Sequence, residues 1–300
     1  MDTSLASEND LTRNTALATV VVARSAMGFA AALFLLLAIA APRIEASSWF
    51  KRRLSEGSAF PHNYEISQRH LFNTSLVIAG TAIALAVTYL VAAEAVFDQE
   101  TLDWINYEDG FLEWLSAAIL IGSSILALVF ARQMPTKSLK WMYFFLAFLF
   151  FVMFGEEISW GQRQIGFQTP EQLGSINVQN EVNLHNSFGY LFDHLFILCF
   201  FIWGCVVPAL YWIDPIWRWF QSRLGLPFPS LGLALAMFVV SLFQPELTDR
   251  FIGDVPGLRV AELRETLSAL CFLLLMWESR TLTAAKDDKR HTAFHQEQAS

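Results

Sequence analysis

The chain alternates between long apolar runs and short polar stretches over most of its length. Most of the runs are close to the roughly 20 residues that an α-helix needs to cross about 30 Å of hydrocarbon. The apolar runs cover residues 26–41, 71–93, 111–131, 141–162, 188–211, 230–245 and 263–280. This pattern predicts an all-α fold, a polytopic membrane helix bundle with about seven transmembrane helices.

Polar residues flank this predicted bundle at both ends. Residues 1–15 form a polar N-terminal tail, residues 16–280 hold the transmembrane domain with a polar segment at 155–187, and residues 281–300 form a second tail. The first apolar run resembles a signal peptide. However, the stretch before it is long and acidic, where a signal peptide has a short basic one. We therefore expect a retained helix.

Basic residues are concentrated on one side of the predicted membrane. The segments 43–70, 132–140 and 212–229, together with the C-terminal end from Arg280, contain 14 of the 20 Lys and Arg residues. All five lysines are among them. Because short cytoplasmic loops are rich in Lys and Arg, this side is expected to be cytoplasmic. The prediction is an N-terminus outside and a C-terminus in the cytoplasm.

Composition agrees with a membrane protein. Hydrophobic residues make up 54% of the chain and charged residues 16%, whereas a soluble protein has about 25% charged residues. The net charge of −8 provides no basic surface for nucleic acid. The expected partners are therefore membrane lipids or lipid-linked molecules.

Three polar stretches are predicted to meet at the outer face. The first, EDGFLEW, enters the third helix and contains Glu108, Asp109 and Glu113. The second runs from GEEISWGQR through QNEVNLHN, and the third, PELTDR, ends at Arg250. Arginine suits phosphate and carboxylate oxygens. We assign Glu108, Asp109, Glu113 and Arg250 to binding of a substrate with an anionic head group.

Glu156 and Glu157 are predicted to lie inside the membrane. A helix that starts at Lys140 reaches Glu156 after about 24 Å, which is still within the hydrocarbon. Acids at such a depth usually face a cavity, a partner or a metal ion. We interpret Glu156, Glu157 and Arg163 as catalytic candidates. The alternative is an internal ion pair between Glu156 and Arg163 that only holds helices together.

Two histidines and nearby acids suggest a metal site. Glu181 and His185 stand four residues apart, and Asp193 and His194 follow further along the chain. Helix bundles bind metals through Glu and His side chains that project inward. We predict a divalent metal such as zinc bound by Glu181, His185 and His194, with Asp193 as a catalytic group. The alternative is simple hydrogen bonding of the histidines at the membrane interface.

The stretches EDGFLEW, GEEISWGQR and QNEVNLHN together resemble a pattern in an uncharacterised family of bacterial multi-pass membrane proteins. The resemblance covers about residues 105–195. It implies a multi-pass protein of the bacterial inner membrane in which the polar stretches belong together. It implies no particular activity.

Three functions fit these residues. An enzyme, a hydrolase or transferase acting on a lipid or lipid-linked substrate, would use the buried acids for acid–base chemistry or as metal ligands. A proton-coupled transporter would use the acids as relay groups, but we find no matching acids on the cytoplasmic half. A non-enzymatic scaffold would use the acidic loop 94–110 to bind a partner. The enzyme is the preferred hypothesis.

Overall fold

In the computed structural model, all regular secondary structure within the described residues is helical. The described residues are 43, 47–48, 62–107, 109–134, 137–170, 182, 191–210, 226–227, 229–251, 253 and 257–299. Their helices are α1 (His62–Val96), α2 (Gln99–Asn106), α3 (Phe111–Gln133), α4 (Lys137–Glu157), α5 (Gln162–Ile165), α6 (Leu191–Phe201), α7 (Val207–Leu210), α8 (Leu231–Ser241), α9 (Pro245–Phe251) and α10 (Val260–Ala299). The first predicted span, residues 26–41, lies outside the described residues.

The chain divides into two compact units. Unit 1 contains residues 1–60 and 159–199, and unit 2 contains residues 61–158 and 200–300. Within the described part, three stretches of unit 2 are long and apolar enough to cross a membrane, namely Thr74–Val96, Gln99–Gln133 and Leu139–Glu157. Two shorter apolar helical stretches are Asp193–Val206 and Leu231–Ser241. The predicted all-helical fold with helices of membrane-spanning length is confirmed to this extent.

The outward faces of these helices carry large apolar side chains. Trp141, Phe145 and Phe148 of α4 follow one another at helical spacing and are all exposed. Leu235 and Phe238 of α8 are exposed in the same way. A soluble protein would bury such stripes, whereas lipid tails accept them. The surface of unit 2 therefore has the chemistry of a membrane-embedded bundle.

Helix α10 is the centre of unit 2. It packs against α1, α3 and α8. The ring of Phe272 contacts Phe150 of α4 at 5.1 Å, Phe200 of α6 at 5.5 Å and Trp203 at 5.6 Å between ring centroids. The last predicted apolar run, 263–280, lies within this helix, so it forms the packing core rather than a lipid-facing surface.

Helix α4 ends earlier than the apolar pattern predicts. The apolar run extends over residues 141–162, but α4 ends at Glu157. The residues of the 3₁₀ turn Ser159–Gly161 have positive φ angles between 45° and 76°. Residues with left-handed backbone angles cannot continue a right-handed α-helix. The helix predicted from the apolar run 141–162 therefore ends five residues early.

Helix α2 lies in the acidic loop 94–110, between the apolar part of α1 and α3. Asp98 caps its N-terminus, because Asp98 Oδ1 accepts a hydrogen bond from the Thr101 backbone N–H at 2.9 Å. Hydrogen bonds from the side chain and backbone of Thr101 hold the pKa of Asp98 below its usual range. Asp98 therefore stays ionised and adds to the negative charge of this loop.

A tight turn joins α2 to α3 at Gly110. The Gly110 N–H donates to the Tyr107 carbonyl oxygen at 2.8 Å. A Cβ atom on residue 110 would lie 2.7 Å from the Trp104 carbonyl oxygen, and it would also overlap the carbonyl oxygen of Tyr107. Both neighbours are backbone atoms that cannot turn away. The turn therefore requires glycine because of space rather than backbone angle.

Helix α6 passes into α7 through a π turn, Ile202–Val206. Such turns interrupt an α-helix for a single wide turn. A Cβ atom on Gly204 would lie 2.6 Å from Met237 Cε of α8, so the two helices approach closely here. Trp203 Nε1 donates to the Pro227 carbonyl oxygen at 2.7 Å. These contacts fix the turn within unit 2.

Candidate functional site

Glu157 lies at the C-terminal end of α4, in a polar cluster of unit 2. Its Oε2 atom accepts a hydrogen bond from Ser116 Oγ of α3 at 2.6 Å. Its carboxyl group interacts electrostatically with those of Glu265 and Glu262 in α10 and of Glu113 in α3. Three helices thus bring four carboxyl groups and one hydroxyl group together. We call these five residues the Glu157 cluster.

The order of the helices explains this convergence. Glu113 lies in the first turn of α3 and Glu262 in the first turn of α10, while Glu157 is the last residue of α4. Because α3 and α4 are consecutive and pack together, the start of one lies beside the end of the other. Acids in a first helical turn also interact favourably with the helix dipole. The cluster therefore forms at one end of the bundle.

Glu113 also supports the turn that precedes α3. Its Oε2 atom accepts a hydrogen bond from the Asp109 backbone N–H at 2.5 Å. Asp109 has a positive φ of 61°, which is uncommon outside glycine. Glu113 is buried and Asp109 is exposed. Two of the predicted substrate-binding residues are thus bonded to each other, and Glu113 links the turn to the Glu157 cluster.

A buried arginine adjoins the cluster. Arg264 of α10 is 2% exposed, and its Nη2 lies 3.6 Å from Glu265 Oε1. Its Nη1 donates to Gln244 Oε1 at 3.3 Å. A buried guanidinium group is costly unless it is paired, so these contacts stabilise its charge. Arg250, predicted to bind an anionic head group, is exposed on α9, which begins directly after Gln244.

Sequence reasoning missed the buried carboxyl group of Glu278 in α10. Glu278 is 2% exposed. Its Oε1 accepts from Ser75 Oγ at 2.5 Å and from Ser230 Oγ at 2.6 Å, and its Oε2 accepts from the Ser230 N–H at 2.9 Å. Ser75 belongs to α1, and Ser230 caps the N-terminus of α8. We call these three residues the Glu278 cluster.

One signal for Glu278 was present in the sequence. An acid in the last turn of an apolar run, here 263–280, is a candidate for burial. Its partners could not be identified in the same way, because Ser75 and Ser230 are 203 and 48 residues away along the chain. Ser75 lies inside the apolar run 71–93 and Ser230 at the start of the run 230–245, and serine is not unusual at either position.

Other predicted residues belong to unit 1. Arg163 Nη2 donates a hydrogen bond to Ser159 Oγ at 3.4 Å. Asp193 is half-buried on α6, and the adjacent His194 is exposed. Glu156, in unit 2, is half-buried in the last turn of α4. The remaining predicted residues, Glu108, Glu181 and His185, lie outside the described residues.

Gln162 connects two of the three sequence motifs within unit 1. Gln162 Nε2 donates to Thr169 Oγ1 at 2.8 Å, and Gln162 Oε1 accepts from the Val182 N–H at 2.6 Å. Gln162 belongs to GEEISWGQR and Val182 to QNEVNLHN. The two motifs are therefore in direct contact through one side chain.

The metal site stays a prediction. Within the described part of the chain, no group of three or more His, Cys, Asp and Glu side chains is placed to hold a metal ion. Two of the three predicted zinc ligands, Glu181 and His185, are not among the described residues. The third, His194, lies on the exposed side of α6.

No protein-family model matches the chain, and comparison with curated proteins and with solved structures gave no match. The functional argument therefore depends on the two carboxyl clusters.

Proposed function

We propose that this chain is a bacterial inner-membrane protein with seven transmembrane helices that acts as an enzyme on a lipid or lipid-linked substrate. The Glu157 cluster carries the proposal. It holds four carboxyl groups from three helices, with Glu157 oriented by Ser116 at 2.6 Å. Carboxyl groups within an apolar bundle are energetically costly, so where they occur they usually mark a functional site.

Charge distribution supports the placement of the cluster at the outer leaflet. The ends of α3 and α4 that lie away from the cluster are joined by the segment with Arg132, Lys137 and Lys140. Lys and Arg mark the cytoplasmic side of short loops. The opposite ends, with the Glu157 cluster, would then face outward. The same rule gives an N-terminus outside and a C-terminus in the cytoplasm.

The cluster suits acid–base catalysis of hydrolysis or group transfer. Ionised glutamates in one cluster repel one another, and a proton shared among them relieves the repulsion. Such a set can give a proton to a leaving group and take one from an attacking water or hydroxyl group. Arg250 would bind the phosphate or carboxylate of the head group. The sequence also predicts a zinc-type ion on Glu181, His185 and His194, and such an ion would supply an activated water in its own right.

The test is a comparison of membrane lipids in cells that express the wild-type chain or Glu157→Gln. The substitution keeps the side-chain shape but removes proton transfer. Expression of the wild-type chain should change the amounts of some lipid species. Expression of the variant should leave those amounts unchanged, because loss of a general acid or base slows a reaction about 10²- to 10⁴-fold. Extracted lipids would be measured by mass spectrometry at equal protein levels.

Glu94→Gln is the matched control, because Glu94 is an exposed acid of the same charge outside the cluster. It should behave as the wild type. Equal lipid changes with Glu157→Gln and wild type would refute the proposal, as would a wild type that changes no lipid. The metal content of purified wild-type and His185→Ala protein would show whether a bound ion takes part.

The Glu278 cluster favours a second candidate, a proton-coupled transporter. Glu265 and Glu278 lie on the same helix, 13 residues apart, which corresponds to about 20 Å of rise. Glu265 is 26% exposed near the start of α10 and Glu278 is buried near its middle. Carboxyl groups at two levels of one helix are what a proton relay needs. The sequence prediction had set this function aside because it found no matching acids on the cytoplasmic half. Under the proposed topology, Glu278 would be such an acid.

Proton movement would be measured in liposomes that contain the purified protein and a pH-sensitive dye. If the second candidate holds, the wild type dissipates a pH gradient faster than empty liposomes. Glu278→Gln returns the rate to that of empty liposomes, whereas Glu94→Gln does not. A wild type no faster than empty liposomes would eliminate this candidate and leave the enzyme.

A further inference from the structure

The loop between α1 and α3 presents aromatic side chains next to acids. Trp104 is 62% exposed and Phe111 is also exposed, with their ring centroids 5.8 Å apart. The opposite side of α2 is anchored, since Leu102 and Asn106 are buried and Asn106 Nδ2 donates to Tyr89 Oη at 2.6 Å. The Trp104 ring is therefore held on an anchored helix, and the Phe111 ring lies at the start of α3.

The charged side chains of α2 itself are acidic, and the nearest described cation is Arg259, which lies on the Tyr107 ring. Glu100 is exposed beside Trp104, and Asp103 accepts a hydrogen bond from Gln99 Nε2 at 2.8 Å. No Lys or Arg occurs between Arg69 and Arg132 in the chain. We call Glu100, Asp103, Trp104 and Phe111 the α2 surface.

A cation already lies on an aromatic ring of the same loop. The guanidinium carbon of Arg259 is 4.3 Å from the centroid of the Tyr107 ring. Cations within about 6 Å of a ring are attracted by its quadrupole. The rings of Trp104 and Phe111 offer the same kind of face, and the adjacent carboxyl groups strengthen the attraction for a positive charge.

The position of α2 determines which cation can reach it. The apolar stretch of α1 ends at Val96, and α3 begins at Phe111, so α2 connects two helices at one face of the membrane. Tryptophan rings at this level contact lipid head groups. We propose that the α2 surface binds lipid head groups that carry an ammonium group, such as phosphatidylethanolamine, in preference to anionic head groups. This inference rests on the membrane placement given above.

The start of α4 provides a matched contrast. Trp141 is 71% exposed and pairs with Phe144 at 5.9 Å between centroids. Here the neighbouring charge is positive, with Lys140 Nζ 5.9 Å from the centroid of the Phe144 ring. The two aromatic pairs thus differ mainly in the sign of the charge beside them. Only the α2 surface should favour ammonium head groups.

The experiment uses the full chain in nanodiscs made from equal amounts of phosphatidylethanolamine and phosphatidylglycerol. Lipids that remain bound after release from the disc are counted by native mass spectrometry. We expect the wild type to retain more phosphatidylethanolamine, and Trp104→Leu to reduce this excess about two- to fivefold, the size of one cation–π contact. Glu100→Gln combined with Asp103→Asn should raise the share of phosphatidylglycerol.

Trp141→Leu is the control and should leave the phosphatidylethanolamine excess unchanged. The inference would be overturned by a wild type without this excess, by an unchanged excess in Trp104→Leu, or by equal losses in the two tryptophan variants. These results would leave the enzyme proposal standing, because Trp104 is not part of the Glu157 cluster. A chain that enters no lipid disc at all would overturn the membrane placement as well.

Discussion

Replacing Glu278 by leucine is expected to lower the free energy of unfolding by about 3 kcal/mol or more. The carboxyl group accepts three hydrogen bonds, two from Ser230 and one from Ser75. Leucine would leave these buried donors without an acceptor, and each unsatisfied buried group costs about 1–3 kcal/mol. Chemical unfolding in a mild detergent, followed by tryptophan fluorescence, would measure the loss.

Glu278→Gln is the control for this prediction. The amide oxygen can still accept from the Ser230 N–H, and the two serine hydroxyl groups can turn to accept from the amide nitrogen. We expect a loss of about 1 kcal/mol or less. If the leucine and glutamine variants were equally stable, the Glu278 cluster would not be what holds α1, α8 and α10 together.

Replacing Gly110 by alanine is expected to destabilise the protein by about 1–3 kcal/mol, the usual cost of an overpacked site. The new Cβ atom would press on the carbonyl oxygens of Trp104 and Tyr107. Relief would require α2 to move away from α3, which would also strain the bond between Asp109 and Glu113. The thermal unfolding temperature of the purified variant would show the effect.

Replacing Gly80 by alanine is expected to have the opposite effect and to stabilise the protein. Apart from its chain neighbours and the backbone of its own helix, no atom lies within 4 Å of the position that its Cβ would take, and Gly80 lies inside α1. Alanine in a helix interior is more favourable than glycine by about 0.5–1 kcal/mol. A similar fall in the unfolding temperature for both variants would mean that crowding at Gly110 is not the cause.

The helices were largely predictable because apolar runs of membrane-spanning length have few alternatives. The run 71–93 lies inside α1, 111–131 nearly matches α3, and 230–245 begins one residue before α8. Helix ends were harder to predict. Nothing in the side chains of Ser159 and Trp160 indicates that they adopt left-handed angles. Only Gly161, which follows them, is a residue that favours such a conformation.

The acidic loop 94–110 shows a missed local signal. Asp98 followed by Thr101 is a typical helix start, because the aspartate side chain can accept from a backbone N–H three residues later. The sequence prediction treated the loop as one polar stretch and did not assign α2. An eight-residue helix is too short for apolar periodicity to reveal, so the cap was the only available indication.

The candidate site was predictable in its acids and not in its hydroxyl groups. Glu157 and Glu113 stood out because carboxyl groups beside an apolar run are unusual. Ser116 and Ser230 did not stand out, because serine occurs in membrane helices without a special role. Hydrogen bonds between distant parts of the chain determine which serines matter, and a single sequence does not contain that information.

The π turn at Ile202–Val206 bears on how this helix can change in evolution. An α-turn closes with one residue fewer than a π turn, so deleting one residue here would restore regular α-helix without breaking the backbone ladder. Elsewhere in a helix, a deletion turns every following side chain by about 100°. This segment is therefore a place where a length variant of the protein could arise and still fold, provided that the contact of Gly204 with Met237 is kept.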